Sequence, residues 1–234
     1  MELFTENCMV CGKPLAYYDT VQIKNCYICG SEYSADAGCE GGHYICDDCH
    51  SEKGILLITF ETVKTSNQNP VKISTDIMKN KVINMHGPEH HYLVAASLLA
   101  AYKNSGGAID LESALKSALK RAKNVPGGIC GLWGSCGAGI AAGIFVSIIT
   151  GANPLSEREW SLANLMTSRA LSVISENGGP RCCKRNSSLA IYQSVAFAEE
   201  NFGITMELPE HFVCEFSHRN SQCRGTRCLY NSQI

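Results

Sequence analysis

The chain has 234 residues, 20 Lys and Arg against 22 Asp and Glu, ordinary hydrophobic content of 45%, and 14 cysteines. That length supports a small module plus one domain with a real core, and nothing in the composition indicates disorder or repeats. A formal net charge of -2 gives no whole-chain attraction to nucleic acid or to an anionic membrane.

The first fifty residues are turn-rich, and their cysteines come in pairs: Cys8-x2-Cys11, Cys26-x2-Cys29, Cys39-x3-His43 and Cys46-x2-Cys49, followed by His50. Eight soft or borderline ligands are the number needed by two tetrahedral zinc ions, and a C-x-x-C turn puts both of its sulfurs within reach of one metal. The pairs can combine in neighbouring order, in crossed order (first with third, second with fourth), or as a one-zinc version using only four of the cysteines. Paired cysteines and an N-terminal stretch, MELFTENC, without an apolar signal segment favour metal ligation in a cytoplasmic chain over a secreted disulfide scaffold. Residues 1–54 carry nine acidic residues and three lysines, so a DNA-reading finger is disfavoured and no nucleic acid is expected as partner. A module of this size rarely buries enough surface to fold alone, which makes its Zn2+ ions structural first and a docking platform second. We take residues 1–54 as the zinc-binding module, zinc-finger-like with short β-hairpins, and 55–234 as a mainly α domain.

Residues 51–64 read as helix or strand leaving the module. Asn69-Pro70 is an N-cap and first helical position for a short helix to about Lys79. Pro88 opens the next helix, PEHHYLVAASLLAAYKN, which stops at Gly106-Gly107. Asp110 caps the amphipathic LESALKSALKRAKN, whose last turn is basic. Pro126-Gly127-Gly128 breaks the chain into a loop. A buried helix follows from about Cys136 to Thr150, too short in its continuous apolar part to span a bilayer and rich in small residues for close packing, so no membrane is expected. Ser156 and Glu159 form a capping-box pattern for a helix over 156–176, ended by Gly178-Gly179-Pro180. Asn186 or Ser187 starts a last helix, closed by Gly203.

Four segments of the α domain carry chemistry. His86-Gly-Pro-Glu89-His90-His91 contains the letters H-x-x-E-H, yet Gly87 and Pro88 place His86 before the helix starts, so the two-histidine face of a zinc peptidase cannot form. Capping and hydrogen bonding are the ordinary use of His86, Glu89 and His90. Cys130 and Cys136 flank a glycine-rich stretch at a helix N-terminus, where unpaired N–H groups acidify a thiol. Cys182 and Cys183 sit among Arg181, Lys184 and Arg185, a setting for a thiolate, an anionic cofactor or a small anionic substrate. Cys214, His218, Cys223 and Cys228 lie in an irregular tail of the kind that holds an iron–sulfur cluster or zinc.

GPEHHYLVAASLLAAY, VPGGICGLWGSCGAGIAAGIFVSIITGANPLS, EWSLANLMTSRAL, GGPRCCKR and CEFSHRNSQCRGTRC resemble a bacterial and archaeal family filed as domain of unknown function 5714, and GHYICDDCH resembles an N-terminal extension of it. The resemblance implies oxygen-sensitive metal chemistry beside methyltransferases and radical-SAM proteins. A weaker likeness is to small redox proteins with a Gly-Cys-Ala-x-x-Gly core, from which Cys136-Gly-Ala-Gly departs.

The leading expectation is a metal-binding protein with zinc plus an iron–sulfur or thiolate-metal site, acting in anaerobic redox, sulfur or methyl-transfer metabolism. Cys130, Cys136, Arg181, Cys214, Cys223 and Cys228 are its candidate cofactor-binding residues. A non-catalytic adaptor that docks a protein partner with structural zinc only, and a transferase or desulfurase using Cys182 or Cys183 as nucleophile, are the alternatives. No Walker loop or G-x-G-x-x-G fingerprint appears.

Overall fold

A computed structural model describes residues Asn7 to Asn231; most of the MELFTENC stretch lies outside that range. The chain begins with a two-stranded antiparallel hairpin, β1 (Leu15–Asn25) and β2 (Glu32–Cys39). Leu15 pairs with Cys39 at its open end and Asn25 with Glu32 at its turn, with a bulge between Tyr17 and Gln22.

Helix α1 (Asp47–Lys64) starts inside the fourth metal-ligand pair, with Cys46 as its N-cap and Asp47 and Asp48 in its first turn. It runs without a break from the module into the helical part, so residues 51–64 are helix rather than strand. α2 (Pro70–Met78) is capped by Asn69, whose side chain accepts from the Lys72 N–H, and α4 (Leu111–Ala122) by Asp110, which accepts from the Ser113 N–H. Between them, α3 (Glu89–Asn104) is buried on nearly every side and packs against α1, α2, α4, α6 and α8. Its sequence shows why: Leu93, Val94, Leu98 and Leu99 are interleaved with Ala95, Ala96, Ala100 and Ala101, so no face needs water.

A single-turn helix α5 (Ile129–Leu132) follows Gly128, whose φ of 83° suits glycine, and occupies the stretch expected as loop. α6 (Gly137–Thr150) pairs with α7 (Arg158–Glu176). Contact is close because a Cβ at Gly143 would meet the Ala163 carbonyl and the Thr167 side chain. The expected capping box of α7 does not form. Ser156 Oγ accepts instead from the Asn153 N–H at 3.1 Å, closing a turn, and α7 starts two residues later than expected, without a side-chain cap.

α8 (Cys183–Phe202) begins three or four residues earlier than Asn186 or Ser187. Cys182 is its N-cap, so Lys184 and Arg185 belong to its first turn and are buried, not held in a loop. The tail after Gly203 is irregular, with 3-10 turns at Ser217–Arg219 and Gly225–Arg227. Among the described residues no helix is long and apolar enough to cross a membrane.

Candidate metal centres and the cleft beside them

The hairpin explains how the four N-terminal pairs combine. Cys8 and Cys11 precede β1, and Cys39 ends β2, so the Leu15–Cys39 pairing brings first and third pairs to one end. Cys26 and Cys29 lie in the hairpin turn, about 30 Å of extended strand away from the first pair. The chain then returns along the hairpin. The Tyr27 N–H donates to the Tyr44 carbonyl at 2.7 Å, and the Cys46 N–H to Cys26 Sγ at 3.4 Å. Cys46 and Cys49 at the start of α1 thereby reach the turn.

Two groups of converging ligand atoms result: Cys8, Cys11, Cys39 and His43, and Cys26, Cys29, Cys46 and Cys49. The pairing is crossed. Cys11 and Cys39 sulfurs stand 3.4 Å apart, Cys29 and Cys46 sulfurs 4.0 Å, and Cys8 Sγ lies 3.8 Å from His43 Nδ1. Two thiolates on a tetrahedral zinc with ~2.3 Å bonds stand at about this spacing. Either group can hold a metal ion. Backbone N–H groups stabilise sulfur charge at both: the Ser31 amide brings the exposed Cys29 thiol down to about 6. At Cys39, burial pushes the thiol up, but His43 and the Gly41 N–H at 3.1 Å outweigh it and hold it near 6.

The helical half gathers its thiols differently. Among the described residues they form no set tight enough for one small ion. The vicinal cysteines divide. Cys182 lies with the tail, where its sulfur accepts from Asn220 Nδ2 at 3.7 Å and feels the charge of Cys228. Cys214 in turn feels Cys182, Cys228 and Cys223. Cys214 Sγ accepts from the Phe216 N–H and Cys223 Sγ from the Gly225 N–H, both at 3.4 Å. Gly41 makes the same sulfur-to-amide turn at Cys39 in the module.

Cys183 faces the other way, toward Cys136 and Arg181. Burial pushes its thiol up to about 12, with the Gly87 N–H opposing. Cys136 accepts from Asn186 Nδ2 at 3.4 Å, and Cys130 feels the charges of Cys136 and Arg181. Cys130, Cys136, Cys183 and also Cys182 line a cavity of about 430 Å³ between the module and the helical half.

The HGPEHH segment forms the floor of that cavity. Glu89 is buried, and its carboxylate accepts from the Asn84 N–H at 3.0 Å and from Asn84 Nδ2 at 3.2 Å, with His50 Nδ1 3.8 Å away. Burial would raise this carboxyl, but His50 and His90 outweigh it and hold it near 2. His86 precedes α3, as the sequence requires, with Nε2 3.3 Å from Asn220 Oδ1. Gly137 must be glycine: a Cβ there would collide with the His91 ring, whose Nδ1 lies 3.0 Å from the Val125 carbonyl oxygen.

Charge around these thiols is unusual. Lys184 is 2% exposed and Arg185 4%, and among the described residues neither makes an ion-pair contact with a carboxylate, although the charge of the buried Glu89 acts on Lys184. Lys184 Nζ donates to the Asn84 carbonyl at 2.8 Å and lies 3.1 Å from His90 Nε2, under the Phe216 ring. Arg185 donates to the Gly178 and Pro180 carbonyls and to Asn186 Oδ1. Arg219 donates to the Ile83 carbonyl, Arg224 to that of Asn177, and Arg181 rests against the Tyr17 ring. Sequence reasoning found the cations beside the vicinal cysteines but placed them in a loop before the last helix, because burial of a Lys-Arg pair in a helix's first turn leaves no local signal.

The chain belongs to the Family of unknown function (DUF5714), which matches residues 58–231. That span covers the helical half and its tail and leaves out the crossed module. No curated protein and no solved structure matches the chain.

Proposed function

We propose that this is a protein of two kinds of metal centre: two structural zinc ions in the crossed module, and an iron–sulfur cluster held by Cys182, Cys214, Cys223 and Cys228. The buried cations carry this reading. A Lys and an Arg taken out of water need compensating anions, and ones this deeply buried are almost always paired; the buried Glu89 carboxylate acts on Lys184 and offsets one of the two charges. Cysteines ligate metal as thiolates, so four of them on a cluster supply the missing negative charge. The amide-to-sulfur hydrogen bonds at Cys214 and Cys223 favour the same charged state and are a means of setting cluster potential. A polynuclear cluster also suits sulfurs spaced too widely for a single ion.

Zinc fits the module for complementary reasons: one donor set of four thiolates and one of three thiolates with an imidazole, tetrahedral spacing, and a segment too small to fold without a brace. Both centres support the cleft, the module forming one wall and the cluster's N-cap cysteine adjoining the other. The setting is anaerobic redox, sulfur or methyl-transfer chemistry in the cytoplasm, with the cluster as electron carrier and the cleft as the place of reaction. Serine substitution tests the assignment. Cys214→Ser or Cys223→Ser, purified without oxygen, loses iron and sulfide and keeps its zinc; retention of iron in both variants overturns it.

A further inference from the structure

We propose that the cleft between the module and the helical half is a binding site for a small organic acid, whose acid group sits on Arg181 and the N-terminus of α6. Four longer helices present their first turns to this cavity: α1, α3, α6 and α8. Two carry their own compensation, α1 through Asp47 and Asp48 and α3 through Glu89. α6 and α8 have no acidic residue in the first turn and no side-chain hydrogen bond at the cap. Cys182, assigned above to the cluster, lies beside the amides of α8; those of α6 keep their positive end for the cavity.

Arg181 adds a full charge at the same place. It meets no carboxylate among the described residues, and the ring of Tyr17 in β1 holds its guanidinium from the module side at 5.9 Å. Ser187 supplies an independent sign of a missing ligand. It lines the cavity one turn along α8 from Cys183, is fully buried, and its Oγ has no hydrogen-bond partner. His86 Nδ1 is likewise buried and unpartnered at the cavity wall, an acceptor when Nε2–H is given to Asn220. The acid therefore carries a hydroxyl, thiol or amine donor as well. Met85, Ile129 and Leu132 offer apolar surface for its carbon frame, and the volume suits a molecule far larger than a bare phosphate. The exposed Asp36 is at the rim and selects against a second negative group there.

The cleft thiols report the preference directly. Iodoacetate and iodoacetamide alkylate the same thiolates and differ in charge, so the ratio of their rates at Cys130, Cys136 and Cys183 cancels thiol reactivity. Mass spectrometry of the zinc-loaded full chain, labelled without oxygen, reads that ratio residue by residue. In Arg181→Met the iodoacetate-to-iodoacetamide ratio falls roughly tenfold, the scale of a lost charge-assisted contact. Arg181→Lys restores most of it. Ratios equal in wild type and Arg181→Met, or a cleft that neither reagent enters, overturn the proposal. Cluster loading is scored separately by iron content, so failure of the cluster reading leaves this result interpretable.

Discussion

Lys184 Nζ lies 3.1 Å from His90 Nε2, with both groups inside the protein. The imidazole must stay neutral to accept, and burial together with the Lys184 charge holds His90 near 3. Burial lowers Lys184 itself to about 8, against the pull of Glu89. The buried Glu89 carboxylate is the one acidic charge acting on Lys184, and after it come the thiols of Cys183 and Cys182; with Arg185 buried beside them, two cations share one carboxylate.

Lys184→Met therefore acts in opposite directions in two states. In iron-free, zinc-loaded protein it removes the excess buried positive charge that Glu89 does not offset and raises stability by about 1–3 kcal/mol, seen as a higher urea midpoint. In the iron-loaded protein it takes a cation away from the thiolates, so iron is lost faster to a chelator. A variant that destabilises both forms equally contradicts the charge balance proposed here.

The crossed module makes a pattern prediction. Cys8→Ala frees Cys11 and Cys39 for alkylation and lowers zinc by one ion, while Cys26, Cys29, Cys46 and Cys49 stay protected. Cys46→Ala does the reverse. Exposure of Cys26 and Cys29 in the Cys8→Ala protein would mean neighbouring pairing.

Gly137→Ala forces a Cβ onto the His91 ring at the head of α6. Overpacking of this kind costs about 1–3 kcal/mol, read as a lower thermal midpoint with the two module zincs retained.

Acid acts through the histidines. Burial and the Arg181 charge hold His86 near 4, burial and Lys184 hold His90 near 3, and burial lowers His91. The unfolded chain takes up these protons near ~6.5. Below that value it binds more protons than the folded protein. Stability is therefore full above about 6.5 and falls as pH drops toward the folded values. His86→Gln flattens the loss between pH ~7.5 and ~5.5 by about 1 kcal/mol, measured by urea unfolding. Equal slopes in the two proteins would place the acid sensitivity elsewhere.

Local rules carried the sequence reading where the cause was local. Asn69-Pro70 and Asp110 announce their helices because the cap bonds lie within three residues. Gly87-Pro88 delays α3 until after His86 for the same reason. The four ligand pairs were legible from spacing, but their crossing depends on the Leu15–Cys39 register and the returning segment through Tyr44, both long-range. Ser156 misled because its hydroxyl had a nearer use in the Asn153 turn. Arg181-Cys182-Cys183-Lys184-Arg185 looks like a solvated loop by composition. Only the fold shows that α8 starts inside it, with both cysteines on the cavity, Cys182 on the side of the tail and Cys183 on the side of Cys136. The cleft combines residues from both ends of the described chain, and Ser187 reads in the sequence only as a candidate helix start, with nothing to mark it as part of a site.

Metal and sulfide analysis of protein purified without oxygen decides whether the tail thiols hold a cluster. Such protein carries two zinc ions per chain together with iron and acid-labile sulfide in equal amounts, the iron disappearing in Cys214→Ser. Two zinc ions with neither iron nor sulfide would contradict the cluster.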